Sequence, residues 1–235
     1  MPKHGTNIRK TAILRVFNKS DRKSPIINTE RIFTMKKILA AILVFAAIIT
    51  VFCSCSKESK PVTSGEYTYV VLEDNTAKIT KYNGTQEIIE LDIPAAIDDV
   101  TVTVIGAEAF AGVQTIKVVN IPETLLKIEE NAFKGSSVKK AFMHRAPNLS
   151  EIGAFAFAEC PNLVQADMPR NLAVIGEKAF QGCTNLKVAN FRGNTETIDK
   201  FAFDACPNVK IYVKSELNKV ISYADTYHLE TVVSD

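Results

Sequence analysis

The stretch Val174-Ile175-Gly176-Glu177-Lys178-Ala179-Phe180-Gln181-Gly182-Cys183-Thr184-Asn185-Leu186 decides how the 235-residue chain is read. Its apolar anchors, Ile175 and Phe180, stand five residues apart, and the same pair recurs. Ala-Phe dipeptides end at Phe110, Phe133, Phe157, Phe180 and Phe203, with spacings of 23, 24, 23 and 23. Ile105, Ile128, Ile152, Ile175 and Ile198 precede those rings by five residues in every copy. Gly follows the Ile in three copies, at Gly106, Gly153 and Gly176. Two locked apolar columns at one period identify a repeat architecture.

The stretch after each Phe carries the spacing L-x-x-L-x-L. It reads Ile116, Val119, Ile121 in the first copy, Leu163, Ala166, Met168 in the third and Leu186, Ala189, Phe191 in the fourth. The second copy reaches it one residue early, at Val138, Ala141 and Met143. The fifth gives Val209 and Tyr212, then breaks at Lys214. This spacing and period predict a leucine-rich-repeat solenoid, a β-rich repeat α/β fold. One copy cannot bury its apolar side; stacked copies line Phe on Phe and Ile on Ile. Adjacent strands, about 4.8 Å apart, then form a parallel sheet on one flank. Short helical or 3₁₀ turns are expected at the Ala-Phe pairs.

A terminal repeat would expose its core face, so both ends need caps. Residues 66–93 alternate at Tyr67, Tyr69, Val71 and Ile79, with Asn83-Gly84 as a hairpin signal, and predict a β-rich N-terminal cap. Leu217, Val220 and Ile221 have helical spacing, and Val232-Val233 suits a last strand. The phrase from Val174 to Leu186 resembles the repeat of BspA-like bacterial surface proteins. Thr76 to Tyr82 and Leu91-Asp92-Ile93-Pro94 resemble that family's first repeat. The second copy departs from the motif, lacking Gly after Ile128 and Cys after Gly135. The resemblance covers roughly residues 66–215. It implies a cell-surface lipoprotein, adhesive in some members.

The N-terminal part reads as targeting sequence. Met35, Lys36 and Lys37 open a basic n-region, and Ile38 to Phe52 is an uncharged apolar run. That is the layout of a secretory signal peptide, too short for a comfortable membrane span. Val51-Phe52-Cys53-Ser54-Cys55 resembles a bacterial lipoprotein cleavage box, and small Ser54 selects Cys55 over Cys53 for lipidation. Residues 1–34 then read as a dispensable or mis-started extension, 35–55 as the signal peptide, 56–65 as a flexible tether, and 66–235 as the repeat domain with its caps. The expected location is the cell envelope, lipid-anchored at the outer membrane or cell surface.

The formal charge of +2 conceals an asymmetry. Residues 1–55 hold 10 Lys/Arg and 2 Asp/Glu, so 56–235 hold 18 and 24, near −6. An acidic domain gives no electrostatic reason to bind nucleic acid. No catalytic motif is present: His144 and His228 sit in none, and neither a phosphate loop nor H-E-x-x-H occurs. No enzyme, cofactor or metal is expected, and Asp98-Asp99 and Glu129-Glu130 read as solvated turns. Cys160, Cys183 and Cys206 each follow a repeat Phe by three residues and predict a column of buried free thiols.

Function is sought on the outward face of the sheet, because strand side chains alternate. The x positions give one column of Lys117, Lys139, Val164, Lys187 and Lys210. The next is Val118, Lys140, Gln165, Val188 and Ile211, and the third Asn120, Phe142, Asp167, Asn190 and Val213. This mixed basic and apolar strip suits a protein ligand on a host or neighbouring cell. A surface glycan is the alternative, weakened by the absence of Trp. An envelope spacer without a ligand is a third reading.

Overall fold

The computed structural model describes residues 58–234. Cys55, the extension 1–34 and the signal peptide 35–55 lie outside the described residues. Among the described residues sixteen strands form: β1 (Val62–Ser64), β2 (Tyr67–Val71), β3 (Ala77–Tyr82), β4 (Ile88–Asp92), β5 (Ala96–Ile97), β6 (Val100–Ile105), β7 (Ile116–Asn120), β8 (Lys127–Ile128), β9 (Lys140–Phe142), β10 (Glu151–Ile152), β11 (Gln165–Asp167), β12 (Val174–Ile175), β13 (Val188–Asn190), β14 (Thr197–Ile198), β15 (Lys210–Lys214) and β16 (Glu230–Ser234). A helix, Asn218–Thr226, joins the last two.

Each turn of the solenoid contributes a strand to two sheets. The front sheet, built from the L-x-x-L-x-L segments, is parallel throughout in the order β4-β7-β9-β11-β13-β15-β16. The back sheet runs β1-β2-β3-β6-β8-β10-β12-β14, with β5 beside β6. The end of β6 and the two-residue strands after it carry the Ile column, with Ile105, Ile128, Ile152, Ile175 and Ile198 in register. The leucine-rich-repeat solenoid and its front sheet therefore stand as the spacing predicts. The second sheet is an addition, drawn from an Ile column too short to announce itself as strand.

Between the sheets runs an aromatic spine. Centroid separations are 4.8 Å for Phe110–Phe133, 4.8 Å for Phe133–Phe157, 5.3 Å for Phe157–Phe180 and 5.1 Å for Phe180–Phe203. The last three pairs are within 4° of parallel. Tyr82 extends the spine from the cap, 5.2 Å from Phe110, and its N–H donates to the Ala109 carbonyl at 2.8 Å. The same bond repeats along the spine: each Phe N–H donates to the Ala carbonyl of the next rung at 2.7–2.8 Å. Stacking and backbone pairing thus share one register.

The Ala-Phe segments are chains of tight turns rather than continuous helix. Ala109, Ala111 and Val113 each donate to the carbonyl three residues back. Glu108, Asn131, Phe155 and Lys178, two before the spine ring, take positive φ of 54–59° and interrupt any helical run. The glycine after the Ile answers to close approach. A Cβ on Gly153 would lie 2.8 Å from the Glu129 carbonyl carbon, and on Gly176 2.7 Å from the Ala154 nitrogen.

The ends correct the expectation in four places. Asn83-Gly84 is no hairpin turn; it leads from β3 in the back sheet to β4 in the front. The cap's hairpins turn instead between β1 and β2 and between β2 and β3. Residues expected in the 56–65 tether already belong to the domain: β1 pairs with β2, and Ser59 N–H donates to the Val71 carbonyl. In the fifth copy, Ala189 pairs with Ile211 and Asn190 with Tyr212. The run Val209-Lys210-Ile211-Tyr212-Val213 alternates at period two, as an ordinary strand does, so Ile211 and Val213 point into the core. Asp98, expected as a solvated turn residue, holds the cap by accepting from Ser64 Oγ at 2.7 Å and Tyr69 Oη at 3.0 Å.

Cys160, Cys183 and Cys206 are free and buried. Their thiols donate to the carbonyls of Phe133, Phe157 and Phe180, each at 3.0 Å. Buried Ser136 takes the same place in the second copy, 3.4 Å from Cys160 Sγ. The pKa of Cys183 is pushed up by hydrogen bonding with Cys160 and Cys206, and then by burial.

Two outcomes follow. Phe157→Ala opens a cavity in the middle of the spine and is expected to lower stability by about 3–5 kcal/mol in urea titration, whereas Phe157→Leu should cost under half as much. A loss under about 1 kcal/mol for the Ala variant would remove the spine from the centre of the fold. In a chain starting at residue 58, a thiol reagent should modify none of the three cysteines in the native state and all three in denaturant. Fast native labelling at any one of them would contradict the ladder.

Candidate functional site

The strand register arranges the outward face of the front sheet in three columns. The first holds Ile89, Lys117, Lys139, Val164 and Lys187. The second holds Glu90, Val118, Lys140, Gln165, Val188, Lys210 and Glu230. The third holds Asp92, Asn120, Phe142, Asp167, Asn190, Tyr212 and Val232. The one-residue offset of the second copy is real, and it places Lys139, Lys140 and Phe142 on this face as the spacing predicts.

Several predicted site residues are not available to a ligand. Ile211 is fully buried in the core, for the reason of register given above. Val213 follows it inward. Lys210 moves to the second column, where Glu230 of β16 pairs with it at 2.6 Å and raises its pKa through that hydrogen bond. Asp167 belongs to the outward column but is only 5% exposed. It accepts from Gln165 Nε2 at 2.9 Å and has His144 Nδ1 3.8 Å away. Asn120 gives its amide to Glu90 and Asp92, both at 2.7 Å. Lys117 pairs with Glu87 at 3.2 Å.

What remains open is the middle of the sheet. Lys139, Lys140 and Lys187 are exposed, and among the described residues no carboxylate pairs with them. Val118, Val164 and Val188 lie between them, half-buried, with Phe142 at the margin. Ile89, 78% exposed, extends the apolar part towards the cap. Its place follows from Ile88, Leu91 and Ile93, which repeat the L-x-x-L-x-L spacing within a segment that reads as cap.

Among the described residues, no group of three or more His, Cys, Asp or Glu side chains could hold a metal ion. No helix there is long and apolar enough to cross a membrane. The front face can offer charge and apolar surface.

None of the curated proteins matches the chain. Among solved structures, it is similar to the leucine-rich-repeat protein of T. pallidum, at 26% identity and a TM-score of 0.59, covering 66% of this chain and 72% of that one. It shares its fold with the pneumococcal vaccine antigen PcpA, at 22% identity and a TM-score of 0.57. That likeness covers 76% of this chain and 47% of PcpA, so the chain spans about half of that protein's length. The model of the BspA-type leucine-rich-repeat region matches in six copies over residues 78–210, one more than the five Ala-Phe copies, and it begins in the cap strand that carries Tyr82. The match spans more than half of the sequence, and the chain belongs to the BspA-type leucine-rich-repeat family.

Proposed function

We propose that this protein is a non-catalytic surface lipoprotein, anchored through Cys55, that binds a protein on a host or neighbouring cell by the middle of its front sheet. Proteins of this family are typically surface-associated. The observation that carries the reading is the set of unpaired Lys139, Lys140 and Lys187 set among Val118, Val164 and Val188. Charges on this face that had only a solubilising role would suit either sign. Here the ends of the face are neutralised by Glu87 and Glu230, and the centre keeps its charge. Unpaired cations beside apolar side chains favour a partner with acidic groups around an apolar centre.

The test is a binding screen of the domain against host matrix proteins, followed by Lys139→Glu, Lys140→Glu and Lys187→Glu together. The triple variant is expected to lose at least tenfold in affinity for the protein captured, mostly in association rate at low salt, with an unchanged melting temperature. Undiminished binding by a folded triple variant would move the site off this face. Release of the protein from cells by Cys55→Ala tests the anchor separately.

A further inference from the structure

A second charged feature lies on the edge where each front strand turns back. Residues 56–235 contain three arginines, Arg145, Arg170 and Arg192, and all three fall in these return loops. They follow β9, β11 and β13 in turn, and Lys214 ends β15, so four successive rungs each present one cation at this edge. Among the described residues, no carboxylate pairs with Arg145, Arg170, Arg192 or Lys214. In a domain near −6, this row of cations is left uncompensated.

The edge is also a built cleft. Arg170, Arg192 and Lys214 line it together with His144, Asn190 and the buried Phe191. His144 Nδ1 is buried there without a hydrogen-bond partner. Burial holds the imidazole below its ordinary pKa, Arg192 and Arg145 act in the same direction, and Asp167 opposes them. The loops are fixed against each other: Asn171 Nδ2 donates to the Pro147 carbonyl at 2.8 Å. Gly193 leaves room for the Arg170 carbonyl, which any Cβ at that position would strike.

We propose that this edge binds an acidic polysaccharide, its carboxylate or sulfate groups held by Arg170, Arg192 and Lys214, with Arg145 extending the row. Charge density favours a polysaccharide over an acidic peptide. The rungs repeat at about 4.8 Å, and a linear acidic polysaccharide carries about one anionic group per ring of comparable length. An extended peptide turns successive side chains to opposite sides, so like carboxylates recur on one side only at roughly 6.6 Å. Guanidinium forks match the two oxygens of a carboxylate or sulfate, which an ammonium cannot do. Asn190, which lines the cleft, provides bonds for sugar hydroxyls.

The test uses the full chain with three probes of matched charge: polygalacturonate, dextran sulfate and poly-L-glutamate. One or both polysaccharides should bind, which shows whether carboxylate or sulfate is preferred, and poly-L-glutamate should bind at least tenfold more weakly. Arg170→Gln with Arg192→Gln should cut polysaccharide affinity at least tenfold without altering the melting curve. Arg170→Lys with Arg192→Lys, which keeps the charge and loses the forks, should still cost several-fold. Lys139→Gln, Lys140→Gln and Lys187→Gln together should change it less than twofold, which separates this site from the front face. Equal binding of poly-L-glutamate, wild-type affinity in the Arg→Lys variant, equal loss in the lysine variant, or no polysaccharide binding would each overturn the proposal.

Discussion

The bond from each Phe N–H to the Ala carbonyl of the next rung is the constraint on which the remaining structure depends. It sets one rung about 4.8 Å above another, and that spacing is close to what stacked rings require. Phe133 and Phe157 meet both conditions at once, with centroids 4.8 Å apart and planes 2° from parallel. The alanine beside each Phe stays small because its side chain is buried in the stack, while its carbonyl accepts from the Phe N–H of the preceding rung. The glycine after the Ile stays small for a neighbouring reason, since the rung behind it leaves no room for Cβ at Gly153 or Gly176. A repeat of this kind tolerates change outside these columns and very little within them.

A stack propagates until something stops it, and the two ends stop this one differently. At the N-terminal end Tyr82 stacks on Phe110, while Tyr67 meets Tyr82 at an interplanar angle of 58°. At the other end Tyr223, on the helix, meets Phe203 at the same angle. A tilted ring covers the last face of the spine without offering a parallel face to a further rung. Backbone pairing ends in step. The back sheet turns antiparallel through β3, β2 and β1, and the front sheet closes on β16, whose Glu230 and Ser234 bond back to Lys210 and Val213 of β15. Strand edges are where repeat proteins associate, and a turned strand or a charged last strand blunts them.

The period, the buried columns and the front sheet were legible because they depend on interactions repeated identically at every rung. Three features were hidden because each breaks the repeat once. Tyr82 occupies the Phe column three residues after Ile79 rather than five, so the spacing that finds the other rings passes over it. Ile211 is buried because the fifth strand drops one residue between Val209 and its next inward side chain. The lysine column lost its ends to Glu87 and Glu230, which belong to the caps and have no counterpart in the repeat. The arginine edge was hidden for another reason. Arg145 and Arg170 stand two residues past the last inward side chain of their strands, and Arg192 one, so no single offset aligns them.

This separation of columns has an electrostatic consequence. The core columns are fixed by stacking, so charge can vary only at outward and loop positions. Residues 56–235 nevertheless carry six more acids than bases, while Lys139, Lys140, Lys187, Arg145, Arg170, Arg192 and Lys214, none of them in an ion pair among the described residues, lie on the front face and its return edge. At physiological salt, fields fade over about 8 Å. An anionic partner more than that distance away meets a domain that is neutral or mildly repulsive. Only when its groups come within reach of Lys139, Lys140 and Lys187, or of Arg170 and Arg192, does attraction outweigh the domain's own charge. Selectivity then depends on shape and spacing at close range rather than on long-range steering. A solenoid meets that demand, because stacked turns bring cations from successive rungs together on one face and one edge.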